Sequence, residues 1–238
     1  MKTLGLIGGM SWESTALYYR HLNELARHRQ GGLHSAKLLL FSVDFAELAE
    51  RQHAGDWAGA ADMVLDAARR LERAGADALM ICSNTMHRVA EAVEENISIP
   101  LIHIADATAR AIERTPSRRP ALLATRFTME QQFYKERLRS RYGYDVVVPE
   151  EGGRERIHHI IYDELCRGIV RPESRSIYLD EIARLQEIGA DGVILGCTEI
   201  TMLIGQQDVA LPVFDTTRLH AESAYDFAIG AEGRSSSE

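Results

Sequence analysis

The chain is poor in lysine, which limits the cofactors that it can use. Its 238 residues include lysine at three positions only, Lys2, Lys37 and Lys135. Pyridoxal phosphate needs a Schiff-base lysine in its site, and neither Lys37 nor Lys135 lies at the end of a predicted strand. The composition therefore argues against pyridoxal phosphate chemistry.

Long hydrophobic runs and basic clusters are also missing. No apolar run approaches the roughly 18 residues that a membrane span requires, and the glycine-broken segment 1–9 is unlike a secretory signal. The net charge is −8 and basic residues are scattered, so the sequence predicts no nucleic-acid or membrane partner. With 45% hydrophobic residues, we expect a folded cytoplasmic protein.

Cysteine and histidine form no structural framework. The three cysteines, Cys82, Cys166 and Cys197, are an odd number without paired spacing, which predicts reduced thiols rather than disulfides. The nine histidines lack metal-ligand spacing, so no metal site is expected. Cys82 and Cys166 are interpreted as core residues, whereas Cys197 ends a predicted strand, where a helix N-terminus would lower its pKa.

The chain nearly repeats itself at an offset of 114 residues. Gly-Ala-Asp at 75–77 recurs at 189–191, and the two copies align without a gap. In the same register Ser83 corresponds to Cys197. A repeat of this length indicates a duplicated structural unit.

Short apolar runs alternate with longer helical patterns, which is typical of βα units and parallel sheets. The predicted strands are 3–7, 37–43, 78–82, 100–103, 121–124, 145–148, 192–196 and 212–214. The predicted helices are 14–28, 57–74, 86–95, 129–140, 155–166 and 174–188. The pattern predicts an α/β fold of two similar four-stranded parallel-sheet domains, with a site in the cleft between them.

Proline bounds the best candidate linker, at 115–120. We therefore place an N-terminal α/β domain at 1–115 and a C-terminal α/β domain at 116–215. The segment 216–238 is predicted to be a closing helix that packs on the N-terminal domain and ends in a disordered polar tail at 232–238.

Polar residues follow four predicted strands, where open α/β sheets bind ligands. Ser11 is a candidate N-cap after the first strand. Helix N-termini there can hold anions, so a small dicarboxylate is the predicted ligand. The candidate substrate-binding residues are Met10, Gln52, Asn84, Thr85, Thr125, Thr198 and Glu199.

Four short motifs occur in one order along the chain: Gly-Gly-Met at 8–10, Asn-Thr-Met-His at 84–87, Leu-Leu-Ala-Thr at 122–125 and Gly-Cys-Thr-Glu at 196–199. With these motifs, residues 2–227 resemble the aspartate/glutamate racemase superfamily. The resemblance implies two α/β domains related by a pseudo-twofold axis, often in a homodimer, that racemise an amino acid without a cofactor. Two cysteines on opposite faces of the substrate exchange its α-proton in that family.

One family cysteine matches Cys197, but the other position holds Ser83. Cys82 cannot replace it because neighbouring side chains of a strand point to opposite faces, and serine is too weak an acid to supply an alkoxide base. The resemblance therefore implies that Cys197 removes the α-proton of L-aspartate or L-glutamate, while Ser83 or water assists reprotonation.

Two other functions fit the same residues. A one-cysteine decarboxylase or isomerase of the superfamily needs one protonating thiol and is compatible with Ser83. A non-catalytic amino-acid binding protein also has two α/β lobes around a cleft, although binding alone gives no purpose to a cysteine at a strand end.

Overall fold

The computed structural model of the protein describes residues 1–231, and the chain divides into two units. The first unit comprises Met1–Cys82, Val89–His103 and the described residues from His220 onward. The second unit comprises Ser83–Arg88 and Ile104–Leu219. The tail predicted at 232–238 lies outside the described residues.

The first unit contains a parallel sheet with the strand order β2-β1-β3. Its elements are β1 (Leu4–Gly8), α1 (Trp12–Gln30), β2 (Leu38–Ser42), α2 (Phe45–Ala54), α3 (Trp57–Arg73), β3 (Ala78–Ile81), a short α4 (Ala90–Glu94) and most of α10 (Thr216–Ile229). Strands β1 and β3 are buried along their whole length, as expected of parallel strands with both faces covered.

Helix α1 begins where the sequence predicts. The Ser11 side chain accepts a hydrogen bond from the Ser14 backbone N–H at 3.3 Å, which confirms the predicted N-cap. Tyr18, Leu22 and Ala26 repeat every four residues on one face and are fully buried. Burial of this stripe fixes α1 in the core of the first unit.

The second unit contains a parallel sheet with the strand order β4-β5-β6. Its elements are α5 (Ile104–Glu113), β4 (Pro120–Leu123), α6 (Arg126–Glu130), α7 (Gln132–Tyr142), α8 (Glu151–His159), α9 (Pro172–Glu187), β5 (Gly192–Leu195) and β6 (Val213–Asp215). The register aligns Leu122 with Ile194 and Ile194 with Phe214, and these side chains lie in one apolar core.

Each half of the chain gives one helix to the other unit. Helix α5 follows the last sheet segment of the first half, yet it belongs to the second unit, where both nitrogens of the Arg137 fork donate to the Asp106 carboxylate at 2.7 Å. Helix α10 from His220 onward belongs to the first unit, and its Ala228 carbonyl accepts from Lys2 N–H at 2.8 Å. The domain bounds predicted at 1–115 and 116–215 stay predictions.

The prediction of four strands in each half is wrong, because each sheet has three. Segment 100–103 pairs with β3 through Leu101 alone, and segment 145–148 pairs with β4 through Val147 alone. Pro100 lacks the N–H that a longer ladder would use, and α5 begins directly afterwards. Pro149 and α8 end the other segment in the same way.

Several helices differ from the periodicity-based expectation. Helices α2 and α5 were not predicted, and 86–95 is a 3₁₀ turn (Thr85–Val89) followed by the short α4. The segment expected as one helix at 155–166 continues from α8 into a π-helix (Ile160–Glu164) and a 3₁₀ turn (Leu165–Arg167). None of the helices in residues 1–231 is both long and apolar enough to cross a lipid bilayer.

A buried histidine joins α10 to the rest of the first unit. His220 is fully buried, and its Nε2–H donates to the Ile102 carbonyl at 2.6 Å while Nδ1 accepts from the Tyr18 hydroxyl at 2.9 Å. Burial lowers the pKa of His220 to about 4, below the 6.5 or so of an unfolded chain. The folded protein therefore holds this imidazole neutral.

This histidine predicts a loss of stability in mild acid. Between pH 6.5 and 4 the unfolded chain binds a proton that the folded chain does not, so the free energy of unfolding falls by up to about 1.4 kcal/mol per pH unit and about 3 kcal/mol in total. Urea denaturation of His220→Gln across this range should show a smaller loss. His159→Gln, at an exposed position, is the control and should keep the wild-type slope, and an equal slope in His220→Gln would contradict the assignment.

Candidate functional site

Cys197 lies directly beyond the carboxyl end of β5, as the sequence predicts. Gly196 separates it from the strand, and a Cβ atom there would lie 2.9 Å from Ala124 Cβ, so a larger residue would force a shift at this point. A 3₁₀ turn (Thr198–Met202) follows. The thiol is half-buried beside the apolar core of the second unit.

The Cys197 thiol is hydrogen-bonded to a buried carboxylate. Cys197 Sγ lies 2.9 Å from Glu199 Oε2 and donates to it. The hydroxyl of Thr198 donates to the same oxygen at 2.6 Å. Because Glu199 is 4% exposed, these donors replace water at its charged oxygen. The turn after β5 therefore holds a proton acceptor against the thiol.

The expected lowering of the thiol pKa is wrong. Loss of hydration, followed by the negative charge of Glu199, raises the pKa of Cys197 well above its usual range. The turn that follows is a five-residue 3₁₀ helix, too short to develop the dipole that we expected to favour a thiolate. At rest, Cys197 is therefore a neutral thiol that needs a base to ionise.

Two tyrosines and a second thiol lie in the electrostatic surroundings of this pair, and the sequence did not point to them. Loss of hydration, and then the charge of a Cys197 thiolate, raises the pKa of both Tyr162 and Tyr178. Cys166 is half-buried in the 3₁₀ turn that packs on the Thr198–Met202 turn. The fully buried Tyr178 hydroxyl has no hydrogen-bond partner among the described residues.

The Ser83 turn belongs to the second unit, with Cys197. Ser83 is half-buried, and its hydroxyl oxygen accepts from Met86 N–H at 3.4 Å. Cys82 belongs to the first unit and is fully buried, which confirms its predicted core position. Burial raises the pKa of the Cys82 thiol.

Asn84 connects this turn to β5, the strand that precedes Cys197. Asn84 Nδ2 donates to Thr216 Oγ1 at 3.0 Å, and the Thr216 hydroxyl donates to the Leu195 carbonyl at 2.8 Å. Leu195 is the last residue of β5. Asn84 Oδ1 is buried and has no hydrogen-bond partner among residues 1–231, so it is available to accept a hydrogen bond from a ligand.

Three buried threonine hydroxyls form a cluster at the end of β4. Thr85 Oγ1 lies 3.0 Å from Thr125 Oγ1 and 3.1 Å from Thr128 Oγ1, and the last two are 3.3 Å apart. Thr125 also caps α6 by accepting from Thr128 N–H. Hydroxyl groups can donate hydrogen bonds to a carboxylate, so this cluster is a polar environment suited to one.

The remaining predicted substrate-binding residues lie in the first unit. Met10 follows β1 and Gln52 is part of α2, and both are buried. Their contacts with a substrate stay predictions. In the part of the chain that the structure describes, no group of three or more His, Cys, Asp or Glu side chains is arranged to hold a metal ion.

The chain is similar to proteins of one family along nearly its whole length. Residues 7–224 match the family model described as Asp/Glu/Hydantoin racemase. A curated relative, the broad specificity amino-acid racemase RacX of Bacillus subtilis (strain 168), is 21% identical over 230 residues, which cover 92% of this chain and 95% of RacX.

Solved structures show the same similarity. A proposed Asp/Glu racemase from Yersinia pestis is 50% identical with a TM-score of 0.90, covering 96% of this chain and 100% of that one. PH1733, an aspartate racemase homologue from Pyrococcus horikoshii OT3, is 35% identical with a TM-score of 0.83 and the same coverage.

The Cys197–Glu199 contact predicts the effect of removing one charge. Glu199→Gln should lower the pKa of Cys197, because the negative charge of Glu199 raises it. The pH profile of iodoacetamide alkylation at Cys197, followed by mass spectrometry in a Cys166→Ser background, should shift to lower pH. Glu164→Gln changes a half-buried carboxyl bonded to Ser174 and is the matched control. An unshifted or higher midpoint in a folded Glu199→Gln protein would contradict this electrostatic assignment.

Proposed function

Because the chain belongs to the Asp/Glu/hydantoin racemase family, we propose that it racemises acidic amino acids without a cofactor. Cys197 removes the α-proton of L-aspartate or L-glutamate, and Ser83 or a water molecule assists protonation of the opposite face. The hydrogen bond of 2.9 Å between the Cys197 thiol and Glu199 carries the proposal, because it pairs a nucleophilic sulfur with a base.

The first step is ionisation of the thiol. The proton of Cys197 moves to Glu199 Oε2, which already accepts its hydrogen bond, and leaves a thiolate and a neutral carboxylic acid. Transfer to a neighbouring carboxylate avoids the cost of forming a second anion beside Glu199. A base within hydrogen-bond reach of a nucleophile is the usual means of activating a weak acid.

The second step breaks the Cα–H bond. The thiolate takes the α-proton and becomes a thiol again, while the electron pair of the bond stays on Cα as a carbanion. This charge needs fixed donors, since no electron sink takes part in the proposed reaction. We assign this part to the threonine hydroxyls at 85, 125 and 128, which are 3.0 to 3.3 Å apart and can donate to the α-carboxylate as it gains charge.

Asn84 is suited to the substrate ammonium group. Its Oδ1 is buried and accepts no hydrogen bond from the described residues, while its Nδ2 is engaged by Thr216. A buried acceptor of this kind gains a donor when an ammonium group binds. Asn84 therefore orients the α-carbon through the ammonium group, which a carboxylic acid without an amino group lacks.

Ser83 makes the exchange of the α-proton with solvent unequal for the two enantiomers. Its oxygen accepts from Met86 N–H, which leaves the hydroxyl proton available for donation to the carbanion. Protonation through Ser83 or water gives the D-enantiomer. Water then reprotonates the Ser83 oxygen, and Glu199 gives its proton to the hydroxide that remains, so the resting enzyme is restored. From the D-enantiomer, Ser83 must remove the α-proton, for which a hydroxyl is a poor base, so D-amino acids should exchange their α-proton with solvent much more slowly than L-amino acids.

A one-cysteine decarboxylase or isomerase is the second candidate. It is favoured by Ser83, since such an enzyme needs one thiol to protonate a carbanion. The two reactions have different products, because a decarboxylase releases carbon dioxide from an acid and a racemase returns the same compound with inverted configuration.

Removal of the thiol tests the proposed base. Cys197→Ala should lose solvent deuterium incorporation at Cα of L-aspartate and L-glutamate by at least about 10³-fold, the scale of general-base and nucleophile loss. Proton NMR in D₂O and chiral chromatography measure exchange and inversion. Cys82→Ala, which removes a buried thiol of the first unit, is the control and should retain exchange. Normal exchange in Cys197→Ala would show that the base lies elsewhere.

Restoration of the second thiol tests the role of Ser83. Ser83→Cys should raise turnover of D-aspartate or D-glutamate by about tenfold or more, because a thiol ionises far more readily than a hydroxyl. The same chiral assay, begun from each enantiomer, measures the change. The Ser83→Ala variant should still turn over D-aspartate and D-glutamate slowly. A Ser83→Cys enzyme that gains nothing on either enantiomer would show that residue 83 does not face the substrate.

A further inference from the structure

We propose that His87 is a positioning residue that holds Ser83 in place for the second proton transfer. The inference rests on the proposed function, because it concerns the delivery of a proton after Cys197 has taken one. It arises from two hydrogen bonds that connect the Ser83 backbone, through the His87 ring, to the first residue of α5.

The tautomer of His87 follows from its partners. The backbone N–H of Ile104 lies 3.1 Å from His87 Nε2, and an N–H group can only donate, so Nε2 carries no proton. The other nitrogen, Nδ1, therefore bears the proton and donates to the Ser83 carbonyl at 2.7 Å. With 2% of its surface exposed, the imidazole is a neutral bridge that accepts on one side and donates on the other.

The far end of this bridge is firmly anchored. Ile104, Ala105 and Ala109 of α5 are fully buried in the core of the second unit. Asp106, in the first turn of α5, accepts two hydrogen bonds from Arg137 at 2.7 Å. The helix that receives His87 is therefore fixed by packing and by a paired charge.

The bridge explains why the Ser83 turn belongs to the second unit, although β3, which precedes it, belongs to the first. Asn84 and Thr85 bind the same turn to the ends of β5 and β4. Of these side chains, His87 holds the carbonyl of Ser83 itself. The positions of Ser83 and Cys197 are thus both set by contacts within one unit.

Loss of this bridge should affect inversion more than exchange. When Cys197 removes the α-proton and returns a solvent deuteron to the same face, Ser83 takes no part and L-substrate with deuterium at Cα results. When the deuteron arrives at the opposite face, the D-enantiomer forms. Because a displacement of about 1 Å can cost up to about 10²-fold in rate, a displaced Ser83 should lower the number of inversions per exchange.

Two substitutions separate the donor of His87 from its acceptor. The amide nitrogen of asparagine can occupy the place of Nδ1, so His87→Asn keeps a donor for the Ser83 carbonyl. The longer glutamine places its amide near Nε2, so His87→Gln keeps an acceptor for Ile104 N–H and loses the donor to Ser83. Ser83→Ala gives the reference value without the hydroxyl.

The experiment measures D-product formed per α-proton exchanged, with L-aspartate and L-glutamate in D₂O. We expect His87→Gln to lower this ratio by about tenfold or more, toward the Ser83→Ala value, and His87→Asn to keep it within about twofold of wild type. An unchanged ratio in folded His87→Gln, or a lowered ratio in folded His87→Asn, would overturn the inference. If His87→Gln does not fold, the asparagine variant alone decides.

Failure of the proposed function gives a different result. If wild-type protein exchanges no α-proton of either substrate, the racemase proposal and this inference are both wrong. If wild-type protein exchanges and inverts while His87→Gln keeps the wild-type ratio, the racemase proposal stands and His87 has no positioning role.

Discussion

The proposed chemistry depends on one hydrogen bond, from the Cys197 thiol to the Glu199 carboxylate. This bond has two opposite effects. The negative charge of Glu199 disfavours a free thiolate and so raises the pKa of Cys197, yet the same oxygen can receive the thiol proton. A thiol that ionises only by transfer to its neighbour stays neutral at rest, which protects it from oxidants and alkylating agents. Thr198, which donates to the same oxygen, keeps the acceptor in position.

A second constraint is the attachment of the Ser83 turn to the unit that carries Cys197. The turn follows a strand of the first unit, but side chains at 84, 85 and 87 bind it to β5, β4 and α5 of the second. Helix α5 itself comes from the first half of the sequence. The placement of α5 in the second unit thus supplies an anchor for Ser83, through His87.

Features set by local sequence could be predicted. Buried apolar runs located β4 and β5, and the residues that follow them placed Thr125 and Cys197 at strand ends. Ser11 caps α1 because its side-chain oxygen accepts a hydrogen bond from a backbone N–H of the first turn. The strands expected at 100–103 and 145–148 failed because prolines and immediately following helices limit their pairing to one residue each, a limit that apolar content does not reveal.

The electrostatics of the site could not be read from the sequence. Glu199 stands two residues after Cys197, and whether it approaches the thiol depends on how the chain turns after β5. Tyr162 and Tyr178 reach the same place from a π-helix and from α9, elements whose approach to Cys197 follows from tertiary packing. No motif marks these tyrosines. Their position became apparent only from the folded second unit, where they lie in the electrostatic surroundings of Cys197 and Glu199.

Infrared difference spectroscopy tests the central claim most directly, because it detects both ends of the transfer from Cys197 to Glu199. When L-aspartate is added to the folded protein, the S–H band of Cys197 should weaken and a protonated carboxyl band should appear. That carboxyl band should be missing in Glu199→Gln. Loss of the S–H band of Cys197 under substrate without any carboxyl band would show that Glu199 is not the base that accepts its proton.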